Sequence, residues 1–196
     1  MDITHVLFAS TFLIWCLNFV ESDFVTTKRL RWYQPYWYYF NTCWGYTVTV
    51  LYFAGYAFFT DRIWLFYLGQ ITIAYQIIIL LFYWIPYFFI KRIVFTNALH
   101  LFLSSATHGG TLPFIIYMQV TSPIYKYRHE CNANMWTVTA TLICIKLTYF
   151  AWNYHYERTH NKRLYDIATW KDMSSIYLST STIAAAILFC QINHFI

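Results

Sequence analysis

Along this chain apolar residues gather in long blocks, not in the stripes of a soluble amphipathic helix or the alternation of a half-buried strand. The blocks run from about Ile3 to Val20, Asn41 to Phe59, Ile63 to Ile90, Phe95 to Val120, Asn134 to Tyr154 and Met173 to His194. A helix crossing the roughly 30 Å hydrocarbon core of a bilayer needs about 20 such residues. The pattern therefore predicts an all-α fold, a polytopic membrane helix bundle of about six transmembrane helices. Residues 1–196 are read as a single integral membrane domain. The third block would rise about 42 Å as one straight helix, so a tilt, a kink at Pro86 or an interfacial turn is expected there.

The connections sharpen this picture. Thr60-Asp61-Arg62 is a tight link, and the segments from Glu21 to Arg31, Thr121 to Ala133 and His155 to Lys171 carry most of the charge. With both termini on one face, that face holds Arg62, Lys126 and Arg128. The other holds Lys28, Arg29, Arg31, Lys91, Arg92, Arg158, Lys162, Arg163 and Lys171. The excess marks the second face as cytoplasmic and the termini as outside or lumenal. The cluster Trp32-Tyr33-Gln34-Pro35-Tyr36-Trp37-Tyr38-Tyr39-Phe40 reads as an aromatic belt at headgroup level, where rings with an apolar face and a polar edge concentrate.

Composition agrees with the pattern. The chain is 59% hydrophobic and 11% charged, where a soluble domain carries about 25% charge. Its net charge of +5 lies beside apolar blocks, which suits anionic lipid headgroups and not nucleic acid. A multi-pass protein of the endoplasmic reticulum or plasma membrane is expected. The first block lacks a basic leader and an A-x-A-like site, so it reads as an uncleaved span. Neither end carries a lipidation motif. The five cysteines are scattered without a C-x-x-C pair and read as small packing residues, with no metal site or disulfide implied.

One segment breaks the apolar rule. Ser104-Ser105-Ala106-Thr107-His108-Gly109-Gly110-Thr111-Leu112-Pro113-Phe114 puts an ionisable ring, paired glycines and a proline inside the fourth block. Polar groups at bilayer depth are costly and face a protein interior or a wet cavity. Glycine and proline there free backbone groups that neighbours must satisfy. At 100° per residue His100, Ser104 and His108 share one helix face. The segment reads as the wall of a buried polar pocket. His-Gly-Gly alone does not make a lipase oxyanion loop, because no G-x-S-x-G elbow accompanies it. His155, Glu157 and His160 do not place three metal ligands on one helical face. Two histidines also admit a haem-binding redox protein, and the same pocket suits a non-catalytic lipid-binding or scaffold protein.

A buried imidazole makes a hydrolase only with a nucleophile, and Thr42, Thr47, Thr49, Ser104, Ser105, Thr107 and Thr111 all offer hydroxyls. Serine and threonine are ordinary packing residues in membranes, so the pattern does not choose among them. A resemblance does. The run from His108 to Ile116, followed by Thr121-Ser122 and Tyr125-Lys126-Tyr127-Arg128, resembles the core of the androgen-induced gene 1 family. The likeness continues in Phe40-Asn41-Thr42-Cys43-Trp44, in Thr49 to Phe53 and in Trp152-Asn153-Tyr154-His155. Ser104-Ser105, Tyr117-Met118 and Lys91-Arg92 depart from the family pattern.

That resemblance implies a six-span membrane enzyme hydrolysing fatty acid esters of hydroxy fatty acids, with Thr42 as nucleophile and His108 as base. No cofactor is implied, and the partner is a lipid substrate taken from the bilayer. A Thr hydroxyl attacks only when an adjacent base takes its proton, and the same ring then protonates the leaving alcohol. Ser104, Gly109 and Gly110 are candidates to line the substrate, with N–H groups near Pro113 as oxyanion donors. Lys146, a cation within the fifth block, either snorkels or pairs with a polar neighbour, or else holds the free carboxylate of a fatty acid. In the last case Lys146→Met raises KM for charged substrates but not for their methyl esters. Steady-state kinetics on matched pairs checks this, and equal effects on both count against the carboxylate role.

Overall fold

The computed structural model describes residues 3–27, 41–59, 61–90, 98–133, 135–161 and Ala184. All of its regular structure among these residues is helical, in order α1 (Ile3–Thr27), α2 (Asn41–Phe58), α3 (Ile63–Ile90), α4 (Ala98–Ser105), α5 (Leu112–Thr121), α6 (Arg128–Ala133) and α7 (Met135–His160). A wide kinked turn, Ala106–Gly110, joins α4 to α5, and a 3-10 turn, Pro123–Tyr127, precedes α6. The aromatic cluster Trp32 to Phe40, Lys91-Arg92 and the sixth block from Met173 to His194 lie outside the described residues. One helical segment, Ile63–Leu81, is long and apolar enough to cross a membrane among the described residues, and Ile3–Leu17 is a shorter apolar helix.

Several boundaries follow the apolar pattern and several do not. α3 has the limits of the third block and continues as helix through Pro86. The fourth block is two helices, because His108 (φ −104°, ψ 44°) and Gly109 (φ 113°) leave helical geometry. The connection after Thr121 is itself helical, and α7 extends to His160, past the Tyr154 boundary that hydropathy suggests. Contacts one turn apart account for the extension. Arg158 Nε donates to the Tyr154 hydroxyl at 3.0 Å, Thr159 bonds the His155 carbonyl at 2.8 Å, and the Tyr156 and His160 rings stack.

The chain divides into two compact units, Met1–Arg128 and His129–Ile196. In the first, α1 lies against α2 through Phe8 packed edge-on to Phe58 and the Trp15 indole donating to Thr47 Oγ1 at 3.0 Å. α2 approaches α3 closely at Gly45, where any Cβ would collide with Ile79 and Tyr75. Small residues at such crossings let backbones meet without a void.

Polar bonds knit the same unit from inside. Gln76 Nε2 donates to Thr49 Oγ1 at 2.8 Å and Tyr75 donates to Asn41 Oδ1 at 2.9 Å, both linking α2 with α3. Gln119 of α5, only 2% exposed, accepts from the Tyr52 hydroxyl at 3.0 Å and donates to the Phe66 carbonyl at 2.9 Å. One side chain therefore ties three helices. Tyr56 bonds Ser122 just beyond it. On the surface Lys126 bonds Asp61 at 2.7 Å and holds that carboxyl below the usual carboxylate range.

In the second unit α7 buries Val138, Leu142, Lys146, Tyr149 and Tyr156. The spacing puts them on one stripe of the helix.

Replacing Gln119 with Leu leaves the Tyr52 hydroxyl and the Phe66 carbonyl buried without that partner. The cost should be on the order of 2 kcal/mol, lowering Tm by about 4–8 °C. Thermal unfolding in detergent reads it, and an unchanged Tm would remove Gln119 from its tying role.

Candidate active site

Thr42 lies in the first turn of α2 and His108 in the kink between α4 and α5. The fold brings them together: Thr42 Oγ1 is 3.1 Å from His108 Nε2, across 66 residues of sequence.

The direction of this bond follows from the other ring nitrogen. His108 Nδ1 is 2.7 Å from the Ser104 carbonyl, which can only accept, so Nδ1 carries the proton. Thr107 Oγ1 is 3.2 Å from the same nitrogen and spends its own proton on the Leu103 carbonyl at 2.8 Å. In the neutral ring Nε2 therefore presents its lone pair to Thr42, and the Thr42 hydroxyl donates to it. This is the arrangement in which a hydroxyl can surrender its proton as it attacks. The bond geometry, within the 2.6–3.2 Å reach of a working pair, needs no rearrangement.

Three features hold the imidazole. Tyr83 stacks on it with ring centroids 3.4 Å apart and planes 22° from parallel, which fixes the ring plane. Trp84 donates its indole N–H to the His108 carbonyl at 2.8 Å. The kink removes this carbonyl from the helical ladder, and Trp84 supplies the partner that a buried backbone group requires. Gly109 completes the turn. Its φ of 113° is closed to ordinary side chains, and an added Cβ would stand 2.6 Å from Leu80 Cδ1. Strained backbone of this kind persists where surrounding contacts over-determine it.

The other candidates from sequence fall as follows. Ser104 is buried and acts through its backbone carbonyl on His108 Nδ1. Gly109 is buried in the turn, and Gly110 stands close to the Ser105 carbonyl, with no room for a side chain. The shared helical stripe of His100, Ser104 and His108 survives as the Ser104–His108 bond, although His108 itself is off the helix. Lys146 is wholly buried and belongs to the second unit.

Of the N–H groups near Pro113, those of Phe114 and Ile115 are not free: both donate to the Thr111 carbonyl, at 3.1 and 3.2 Å, and proline has none to offer. The 3-4 turn that starts α5 consumes them.

Tyr83 and Trp84 escaped sequence reading. A signal existed for Trp84, since a buried indole N–H seeks an acceptor and a Gly-Gly kink exposes one. Nothing in the sequence matched the two across 24 residues.

No family model, curated protein or solved structure matches this chain.

Gly109→Ala forces a Cβ into Leu80 and a disfavoured φ, so it should displace His108 from Thr42. A misplacement of about 1 Å costs on the order of 10²-fold in rate. The ester turnover that the sequence resemblance implies should then fall by at least tenfold, and Tm should also drop. Wild-type turnover in the alanine variant would show that the kink does not position the ring.

Proposed function

We propose that this chain is a polytopic membrane helix bundle that hydrolyses lipid esters, with Thr42 as nucleophile and His108 as general base and acid. The observation that carries the reading is the 3.1 Å contact between Thr42 Oγ1 and His108 Nε2, with the far nitrogen anchored on Ser104. Thr42 Oγ1 reaches the imidazole across 66 residues of sequence, a contact unlike the local carbonyl bonds that Thr47, Thr49, Thr72 and Thr107 make.

In the first half-reaction Thr42 Oγ1 attacks the ester carbonyl carbon as its proton passes to Nε2. The carbonyl π pair moves to oxygen, then returns and expels the alcohol oxygen, which takes the proton from His108. The acyl group remains on Thr42. Water then attacks the acyl carbon with His108 again accepting a proton, releasing the fatty acid and restoring the Thr42 hydroxyl. The Ser104 carbonyl stabilises the transient imidazolium through Nδ1–H, the orienting role a third group has in such systems.

The membrane setting draws support from the exterior of the first unit. Leu99, Phe102, Phe114, Tyr117 and Val120, on α4 and α5 around the kink, are each more than half exposed. Inside, buried Thr49, Thr72, Gln76, Thr107, Thr111 and Gln119 lie among apolar and aromatic residues. A large apolar exterior costs much in water and little in lipid. The substrate would be a fatty acid ester of a hydroxy fatty acid drawn from the bilayer, the class suggested by the resemblance noted above. A location in the endoplasmic reticulum or plasma membrane belongs to the same proposal.

A lipid carrier would use this pocket without turnover, and a haem protein would use His108 as an axial ligand. The second needs a free ring nitrogen, whereas both nitrogens of His108 are engaged. Purified protein in detergent, assayed on branched fatty acid esters, decides between enzyme and carrier. Thr42→Ala and His108→Ala should each lose activity by at least 10³-fold, the scale seen when a catalytic group of such a unit is removed. A fluorophosphonate probe should label wild type and not Thr42→Ala. Undiminished turnover in either variant removes the assignment.

A further inference from the structure

Ester hydrolysis builds negative charge on the carbonyl oxygen, and a partly buried site needs a donor aimed at that atom. The amides of Phe114 and Ile115 are occupied, so they do not serve as that donor.

Tyr46 carries a buried hydroxyl with no partner. It follows Thr42 by one helical turn, so the two share a face of α2. Helical side chains lean toward the N-terminus, which carries the Tyr46 phenol back over the turn that holds Thr42. The residue is 1% exposed, and its hydroxyl has no hydrogen-bond partner. A buried hydroxyl without a partner is costly and uncommon in native structures. The fold thus retains a donor that stabilises nothing in the resting protein.

We propose that the Tyr46 hydroxyl is the oxyanion donor of this site, bonding the carbonyl oxygen of the ester as Thr42 attacks. The proposal rests on the hydrolase reading above. Tyr46 keeps its proton throughout. Its O–H bond points at the developing alkoxide, tightens in the tetrahedral intermediate and relaxes when the carbonyl re-forms. A hydroxyl held for this purpose contributes to kcat and not to folding.

Tyr46→Phe retains the ring and removes only the donor. Alongside wild type, Thr42→Ala and Thr111→Val, it is assayed on a branched fatty acid ester with Tm measured in the same detergent. Thr111 is included because its hydroxyl is also buried without a partner, three residues past His108. Tyr46→Phe should lower kcat by about 10²-fold or more, leave KM within about threefold, and leave Tm unchanged or raised. If Thr42→Ala is inactive while Tyr46→Phe turns over within threefold of wild type, the Tyr46 role falls and the hydrolase stands. A large loss of kcat in Thr111→Val and not in Tyr46→Phe moves the donor to Thr111 and overturns the proposal. A lowered Tm in Tyr46→Phe with kcat intact assigns the hydroxyl to structure, for example through water to the unpartnered Gln76 Oε1. If wild type and Thr42→Ala act alike, the hydrolase reading itself fails and takes this role with it.

Discussion

An imidazole enclosed by apolar helices is tolerable only when both of its nitrogens are bonded, and that requirement organises the first unit of this protein. His108 meets it with one partner from its own helix, the Ser104 carbonyl, and one from α2, the Thr42 hydroxyl. The first bond sets the tautomer and the second follows from it. Because Thr42 is the acceptor-seeking group on the other side, satisfying the histidine also sets a hydroxyl against a proton acceptor. In the proposed mechanism stability and reactivity share that one pair of atoms.

The pair meets only because α2, α3 and α5 are locked in register. Hydrophobic contact between apolar helices is nondirectional. Directional bonds therefore supply the register. Tyr75–Asn41 sets the end of α2 that carries Thr42, Gln76–Thr49 sets its middle, and Gln119 binds α2 to α3 from α5. These bonds lie along one seam, so a slip of any helix would break several of them together.

What could be read from the chain divides along physical lines. Hydropathy found α3 to the residue, because Ile63 to Ile90 is uncharged, mostly apolar and bounded by charge at both ends. It misplaced the end of α7, since Tyr154 to His160 is polar and its helix depends on contacts one turn apart. The oddity of His108-Gly109-Gly110 was visible as a polar break, but its geometry was not. A helix interrupted at Gly109 reads the same as a continuous one until φ is known. Choosing Thr42 among seven hydroxyls needed the family resemblance, because a threonine bonded to its own helix and one bonded to a histidine look alike in sequence. Tyr83 and Trp84 were hidden for a simpler reason: aromatic residues are so frequent here that nothing in the sequence pairs these two with the kink.

The kink explains why glycine stands where it does and why the tryptophan is needed. A straight helix through Ala98 to Thr121 would turn the His108 carbonyl into the ladder and leave the ring on the α4 stripe. With φ at 113°, Gly109 swings the chain so that the carbonyl leaves the ladder and the indole of Trp84 takes it. The same swing leaves the ring between Tyr83 and Thr42. A residue with a Cβ at position 109 would meet Leu80, so the turn and the α3 packing are set by one absence of a side chain. Local strain at Gly109 is thus offset by a backbone bond, a ring stack and a side-chain bond, all to neighbouring helices. A strained turn held by three independent contacts returns to one geometry after each thermal excursion, which is what pre-organisation of a base requires.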